Sequence, residues 1–114
     1  MNMQMDTSLD LTQAASTFAA LGSEQRLHVL RTLVRSGPDG LTIGDLGERC
    51  GITGSTLTHH MKILSAAGLV DQKREGRKII CIGVDFARIE SLTTFLLEEC
   101  CADAPHVEVG AKHG

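Results

Sequence analysis

The apolar positions of this chain follow more than one rhythm, and the breaks between them mark out its elements. From about Asp10 to Leu21, Leu11, Ala14, Ala15, Phe18 and Leu21 recur at helical spacing, and Gly22 stops the run. Ser23 is placed to cap a second helix with apolar Leu27, Leu30, Leu33 and Val34, which Ser36-Gly37-Pro38-Asp39-Gly40 terminates. Thr42 opens a short third helix, and Asp45, three residues on, is placed to return the bond of a capping box. Cys50-Gly51-Ile52-Thr53 then holds a helix end, a turn and a new cap, after which a fourth helix runs from about Gly54 to Ala67 and stops at Gly68. Two short helices joined by so tight a glycine corner predict a helix-turn-helix.

Past Gly68 the period changes. Leu69-Val70-Asp71-Gln72-Lys73-Arg74 and Lys78-Ile79-Ile80-Cys81-Ile82-Gly83-Val84 read as strands, the second β-branched and partly alternating, joined through Glu75-Gly76-Arg77 as a hairpin with a cationic tip. Asp85 is placed to cap a last helix reaching about Cys101, with Ile89, Leu92 and Leu96 on one stripe and Phe95 beside it. The expected architecture is mainly α with one β-hairpin, in a single domain over residues 1–101. A small, polar tail over 102–114 is expected to be mobile.

A chain of 114 residues with three Phe and neither Trp nor Tyr builds its core from many small contributions, so burial by homodimer formation is expected. No apolar run approaches the ~18 residues of a membrane span. The N-terminus shows no basic stretch followed by an apolar one, so a cytoplasmic protein is expected. The net charge of −3 is uneven: residues 1–55 carry −2, residues 56–80 carry +3 and residues 81–114 carry −4. A basic middle between acidic ends fits a local anion-binding face or a merely solvated surface, and charge alone does not decide between them.

The fourth helix does more to decide. Leu57, Met61 and Leu64 fall on one face and point to the core. The opposite face offers Ser55, Thr56, Thr58, His59, Lys62 and Ser65, with no acid anywhere from Gly54 to Ala67. Base edges need donors and acceptors, and a carboxylate there would be repelled by phosphate, so this face suits the major groove of duplex DNA. Lys73, Arg74, Arg77 and Lys78 at the hairpin tip suit phosphates or the minor groove alongside. The expected DNA contacts are Ser55, Thr56, Thr58, His59, Lys62, Arg74, Arg77 and Lys78.

Four stretches carry a resemblance: Leu21-Gly22-Ser23-Glu24-Gln25-Arg26-Leu27-His28-Val29-Leu30, Thr56-Leu57-Thr58-His59-His60-Met61-Lys62-Ile63-Leu64, Ala67-Gly68-Leu69-Val70 and Arg74-Glu75-Gly76-Arg77. With the element order they cover about residues 10–101, and there the chain resembles the ArsR/SmtB family of bacterial winged-helix repressors. The resemblance implies an α1-α2-α3-α4-β-β-α5 homodimer paired through its first and last helices. It also implies a palindromic double-stranded DNA operator, released when an inducer binds.

Two inducer sites of that family have no counterpart here. A Cys-x-Cys pair at the start of the third helix is replaced by Leu41-Thr42-Ile43-Gly44-Asp45-Leu46. A zinc-binding Asp/His set along the last helix is replaced by Asp85-Phe86-Ala87-Arg88-Ile89-Glu90-Ser91-Leu92-Thr93-Thr94, without His. What remains is Glu98-Glu99-Cys100-Cys101. Adjacent Cα atoms stand ~3.8 Å apart, closer than the ~4.4–6.8 Å usual across a disulfide, so the pair makes a poor internal disulfide. The same closeness lets both sulfurs reach one soft atom.

Trivalent arsenic fits, and the chain resembles a branch of arsenic-responsive repressors ending in such a pair, some of which carry a third Cys. Ala102-Asp103-Ala104-Pro105-His106 supplies none, so methylarsenite, which needs two thiols, fits better than arsenite, which needs three. Cys100 and Cys101 are therefore the expected inducer ligands, their alternative being small apolar residues at an interface. Glu98 and Glu99 are expected to raise their thiol pKa values, which disfavours fast oxidation, though a redox or persulfide sensor of the same family stays open. Cys50 and Cys81 read as core, His60 as packed beside Met61, and His59 as exposed. A thiol enzyme has no support: no phosphate-cradling loop is present, and no Cys has an evident cationic activator.

Overall fold

The computed structural model describes residues 9–84 and 86–105. Within them the elements run α1 (Leu11–Ala20), α2 (Glu24–Ser36), β1 (Leu41–Thr42), α3 (Ile43–Cys50), α4 (Gly54–Ala66), β2 (Val70–Glu75), β3 (Lys78–Gly83) and α5 (Phe86–Leu97). Each of the first three helices starts on a side-chain cap that the sequence offers. Asp10 and Gln13 form a reciprocal capping box, with the Gln13 N–H donating to Asp10 Oδ1 at 2.7 Å and the Asp10 N–H to Gln13 Oε1 at 3.1 Å. The Arg26 N–H donates to Ser23 Oγ at 3.2 Å, and the Asp45 N–H to Thr42 Oγ1 at 3.1 Å. Such caps contribute typically ~1 kcal/mol each.

The core is assembled from Val29, Leu30 and Leu33 of α2, Leu46 of α3, and Leu57, Met61 and Leu64 of α4. Leu69, Val70 and Cys81 close it from the hairpin, and Leu92 from α5. Arg26 ties the start of α2 back to α1, its Nε donating to the Ala20 carbonyl at 2.6 Å. No helix among the described residues is long and apolar enough to cross a membrane.

The structure corrects the sequence reading in four places. The inward stripe of α1 is Ala14, Thr17 and Ala20, whereas Leu11 is 74% and Phe18 41% exposed. The small residues let α1 approach its neighbours closely, which leaves the larger ones outside. Leu27, Val34 and Leu96, expected inside, are exposed as well.

Leu41 and Thr42 form a strand that the sequence reading missed. It pairs antiparallel with β3 (Leu41 with Cys81, Thr42 with Ile80), so the hairpin is part of a three-stranded sheet ordered β1-β3-β2. Finally, α5 ends at Leu97 instead of reaching Cys101. Two successive carboxylates, Glu98 and Glu99, oppose the negative end of the helix dipole there. The chain continues in three-residue turns, with Cys100 N–H bonded to the Leu97 carbonyl and Ala102 N–H to that of Glu99. Ala102 to Pro105 are exposed, and the rest of the expected tail lies outside the described residues, as does the expected cap Asp85.

Candidate functional site

The corner before α4 is made by Gly51, which closes α3 in the left-handed region (φ 68°, ψ 32°) that glycine adopts without a Cβ clash. The Ile52 N–H returns to the Gly47 carbonyl at 3.1 Å, and α4 begins two residues later with Thr53 as its N-cap. The Thr53 hydroxyl makes no cap bond, so the first backbone N–H groups of α4 have no side-chain acceptor from that residue.

Along α4, Leu57, His60, Met61 and Leu64 are buried. Ser55, Thr56, Thr58, His59, Lys62 and Ser65 all face outward. All five expected contacts of this helix are therefore exposed on the element whose opposite side is sealed into the core. The strand β2 packs against α4, with Val70 at its start in the shared core.

In the hairpin, Glu75 pairs with Lys78 across a two-residue Gly76-Arg77 turn. Gly76 has φ 64°, the positive value that a type II′ turn demands at its first central position. Arg74, Arg77 and Lys78 are exposed at or beside this tip. Lys73 stands 3.8 Å from Glu75 in an ion pair with both side chains 59% exposed, a contact weak in water that still offsets part of its charge.

His60 occupies a different environment from its neighbour. It is buried on the inner side of α4, its Nε2 donating to Gln25 Oε1 on α2 at 2.8 Å, while its Nδ1 is buried without a partner among the described residues. Burial lowers its pKa from the ordinary 6.5, and the positive charge of Arg26 and the neighbouring His59 lower it further. The unfolded chain therefore takes up this proton first, so the stability held by neutral His60 is complete above pH 6.5 and declines below it. Thermal stability should fall as the pH drops from about 7 to about 5, and less steeply in His60→Gln. Equal slopes in the two proteins would show that this imidazole is not responsible. The contact spans α2 and α4, and no local spacing in the sequence announces it.

Cys100 and Cys101 lie beyond the end of α5, both exposed, with their Sγ atoms 3.5 Å apart. Cys101 itself takes φ 63°, an uncommon conformation for a residue with a Cβ. Its thiol is held above the usual range by the hydrogen bond and charge of Cys100, with a small addition from desolvation. The cause is the neighbouring thiol and not the expected pair of glutamates. Both sulfurs can bond one soft atom without rebuilding the fold, and among the described residues they form no part of a larger group of His, Cys, Asp and Glu. The other two thiols sit in or against the core. Cys81 is fully buried, its pKa pushed up to about 11, and half-buried Cys50 donates to Thr32 Oγ1 at 3.6 Å.

Comparison with known proteins gives a consistent picture. A helix-turn-helix domain family matches residues 21–73. The HTH-type transcriptional regulator NmtR of Mycobacterium tuberculosis is 34% identical over 98 residues, covering 86% of this chain and 75% of that protein. The HTH-type transcriptional regulator YceK of Bacillus subtilis is 41% identical over 63 residues, which is 55% of this chain. That match spans 62% of YceK, under two thirds of its length. Among solved structures, an ArsR-like transcriptional regulator from Rhodococcus sp. RHA1 superposes with a TM-score of 0.65 at 27% identity, over 81% of this chain and 82% of that one.

Proposed function

Since the chain belongs to the ArsR family of winged-helix transcriptional regulators, we propose that it is a homodimeric repressor, released from a palindromic operator when trivalent arsenic bridges Cys100 and Cys101. The DNA reading is carried by one observation: an exposed α4 face of hydroxyls, His59 and Lys62, free of acids, beside a cationic wing. In this reading Ser55, Thr56, Thr58, His59 and Lys62 meet base edges and nearby phosphates, and Arg74, Arg77 and Lys78 meet the backbone. Arg77→Ala should weaken operator and random duplex alike and lower the salt slope of binding by about one unit. An unchanged slope would take Arg77 out of the phosphate contacts.

Dimerisation accounts for the misplaced apolar side chains. Leu11 and Phe18 of α1 and Leu96 and Leu97 of α5 lie on two helices in mutual contact, at 41–74% exposure. Burying what is still exposed of each against a second copy contributes about 0.6–2 kcal/mol. A two-fold arrangement also presents two α4 helices to the two halves of a palindrome.

The inducer follows from the donor set. Two thiolates select a soft centre over magnesium or calcium. At about 2.3 Å per bond and a tetrahedral angle, zinc would hold two sulfurs about 3.8 Å apart. A pyramidal trivalent centre, whose lone pair closes the angle, holds them nearer. Methylarsenite carries two hydroxyls that leave as water with the two thiol protons, so no oxidant or reductant takes part.

The test is an operator-shift titration with arsenite, methylarsenite, zinc and persulfide in parallel. Methylarsenite should release the operator at the lowest concentration. Release by persulfide or zinc alone would replace the inducer, and equal affinity for promoter and random duplex would overturn the DNA reading.

A further inference from the structure

We propose that Gln25 and His60 form a positioning pair that fixes the rotation of α4 about its own axis, and that α4 is seated to read DNA only while the His60 ring is uncharged. The proposal rests on the reading of α4 as the DNA-binding helix and is independent of the inducer.

The inner side of α4 meets the core through Leu57, Met61 and Leu64, all fully buried. Apolar contacts are non-directional, so they hold the helix down without closely fixing its rotation. A hydrogen bond weakens steeply when it is bent, and His60 supplies one on that same side. At 7% exposure, its Nε2 donates to Gln25 Oε1, in the first turn of α2, at 2.8 Å. The start of α2 is itself held, by the Ser23 cap and by the bond from Arg26 Nε to the Ala20 carbonyl. The acceptor for His60 therefore stands on a fixed post. His59, one residue along, is exposed on the outer face with Thr56 and Lys62. A rotation that breaks the inner bond carries these side chains round by the same angle, and a binding constellation tolerates only about 10–20°.

The pair works with a neutral ring. With Nε2 donating, the proton-free nitrogen is Nδ1, which is buried without a partner among the described residues. A second proton would make Nδ1 a buried donor with no acceptor. The charge would be uncompensated as well. The charged and titratable groups acting on the ring are Arg26 from α2 and His59 from α4, and both repel a cation there. Arg26 is kept in place by its bond to the Ala20 carbonyl. Moving the ring toward water relieves both costs, at the loss of the Gln25 bond and of the seating of α4. Inside the seated helix the ring takes its proton below the ordinary 6.5, so acid favours the displaced arrangement. Operator affinity falls with the fraction of helix still seated.

The test measures the ratio of affinities for operator and random duplex, on the full-length protein, at pH 7.5 and 5.5 and constant ionic strength. Phosphate contacts enter both affinities, so the ratio reports the seating of α4. Circular dichroism on each sample reports folding. Gln25→Ala should lower the ratio at pH 7.5 by about 2–12-fold, the equivalent of one ordinary hydrogen bond, with helix content unchanged. The wild-type ratio should fall between pH 7.5 and 5.5, by up to about tenfold. His60→Gln keeps a donor for Gln25, takes up no proton and leaves His59 to titrate as before, so its ratio should fall much less. Gln25→Glu sets a carboxylate against the ring and stabilises its charged form in place, so the acid loss should shrink there too.

A wild-type ratio in folded Gln25→Ala overturns the positioning role. No acid loss in the wild type, or an equal loss in His60→Gln or Gln25→Glu, overturns the requirement for a neutral ring. A wild type without preference for its operator at pH 7.5 overturns the DNA reading itself, and the pair's role with it.

Discussion

Cys100→Ser combined with Cys101→Ser is expected to leave operator affinity intact and to keep the protein on DNA at arsenical concentrations that clear the wild type. Both side chains are exposed and outside the core, so exchanging sulfur for oxygen changes no packing. What it changes is softness, since a hydroxyl does not hold a thiophilic centre that two thiolates hold together. The single variants sharpen the prediction. With sulfurs 3.5 Å apart, the second bond forms within one molecule after the first, so removing either Cys leaves a single bond without the gain from linkage. That gain is on the order of 10²–10⁴ in apparent affinity, and each single variant should need arsenical in comparable excess. Operator-shift titration with intact-mass detection reads both effects, and wild-type release by the double variant would remove the pair from the sensing site.

Thr58→Glu should separate folding from recognition with the next largest effect. Thr58 is exposed on the outer face of α4, where glutamate has the better helix propensity. The melting temperature should hold or rise slightly. Binding should move the other way, because a carboxylate on the acid-free outer face of α4 meets phosphate oxygens and loses whatever the hydroxyl contributed. One well-placed base contact is worth about 1–3 kcal/mol, or about 5–150-fold, and repulsion adds to its loss, so operator affinity should drop by at least ~10-fold. Circular dichroism and fluorescence anisotropy on the same sample make the comparison, and an affinity near wild type would take the outer face of α4 off the DNA.

Much of this could be read from the chain because the signals are local. Asp10, Ser23 and Thr42 cap their helices within three residues of themselves, and the corner at Gly51 and the turn at Gly76 depend on single backbone conformations. The exposed face of α4 follows from its periodicity together with its missing acids. Periodicity also explains the failures. On α1 it groups Leu11 with Phe18, but does not say whether that stripe or the one of Ala14, Thr17 and Ala20 turns inward. That depends on how closely neighbouring elements approach, which is a property of the assembled core. Leu41 and Thr42 are too short a strand to alternate, and only Cys81 and Ile80 across the ladder define them. The contacts of Gln25 with His60 and of Arg88 with Ala67 join elements whose separation in the chain carries no pattern.

The sheet order β1-β3-β2 has one more consequence. It leaves β2 with a flank of unsatisfied amide and carbonyl groups, a template on which a foreign strand could grow. Every residue from Asp71 to Glu75 is nevertheless polar and solvated on both sides of the ribbon, in the series Asp-Gln-Lys-Arg-Glu. An incoming segment would have to strip water from charges of both signs and would find no greasy surface in return. In the proposed reading, the side chains that meet nucleic acid are the same ones that oppose strand addition along this edge.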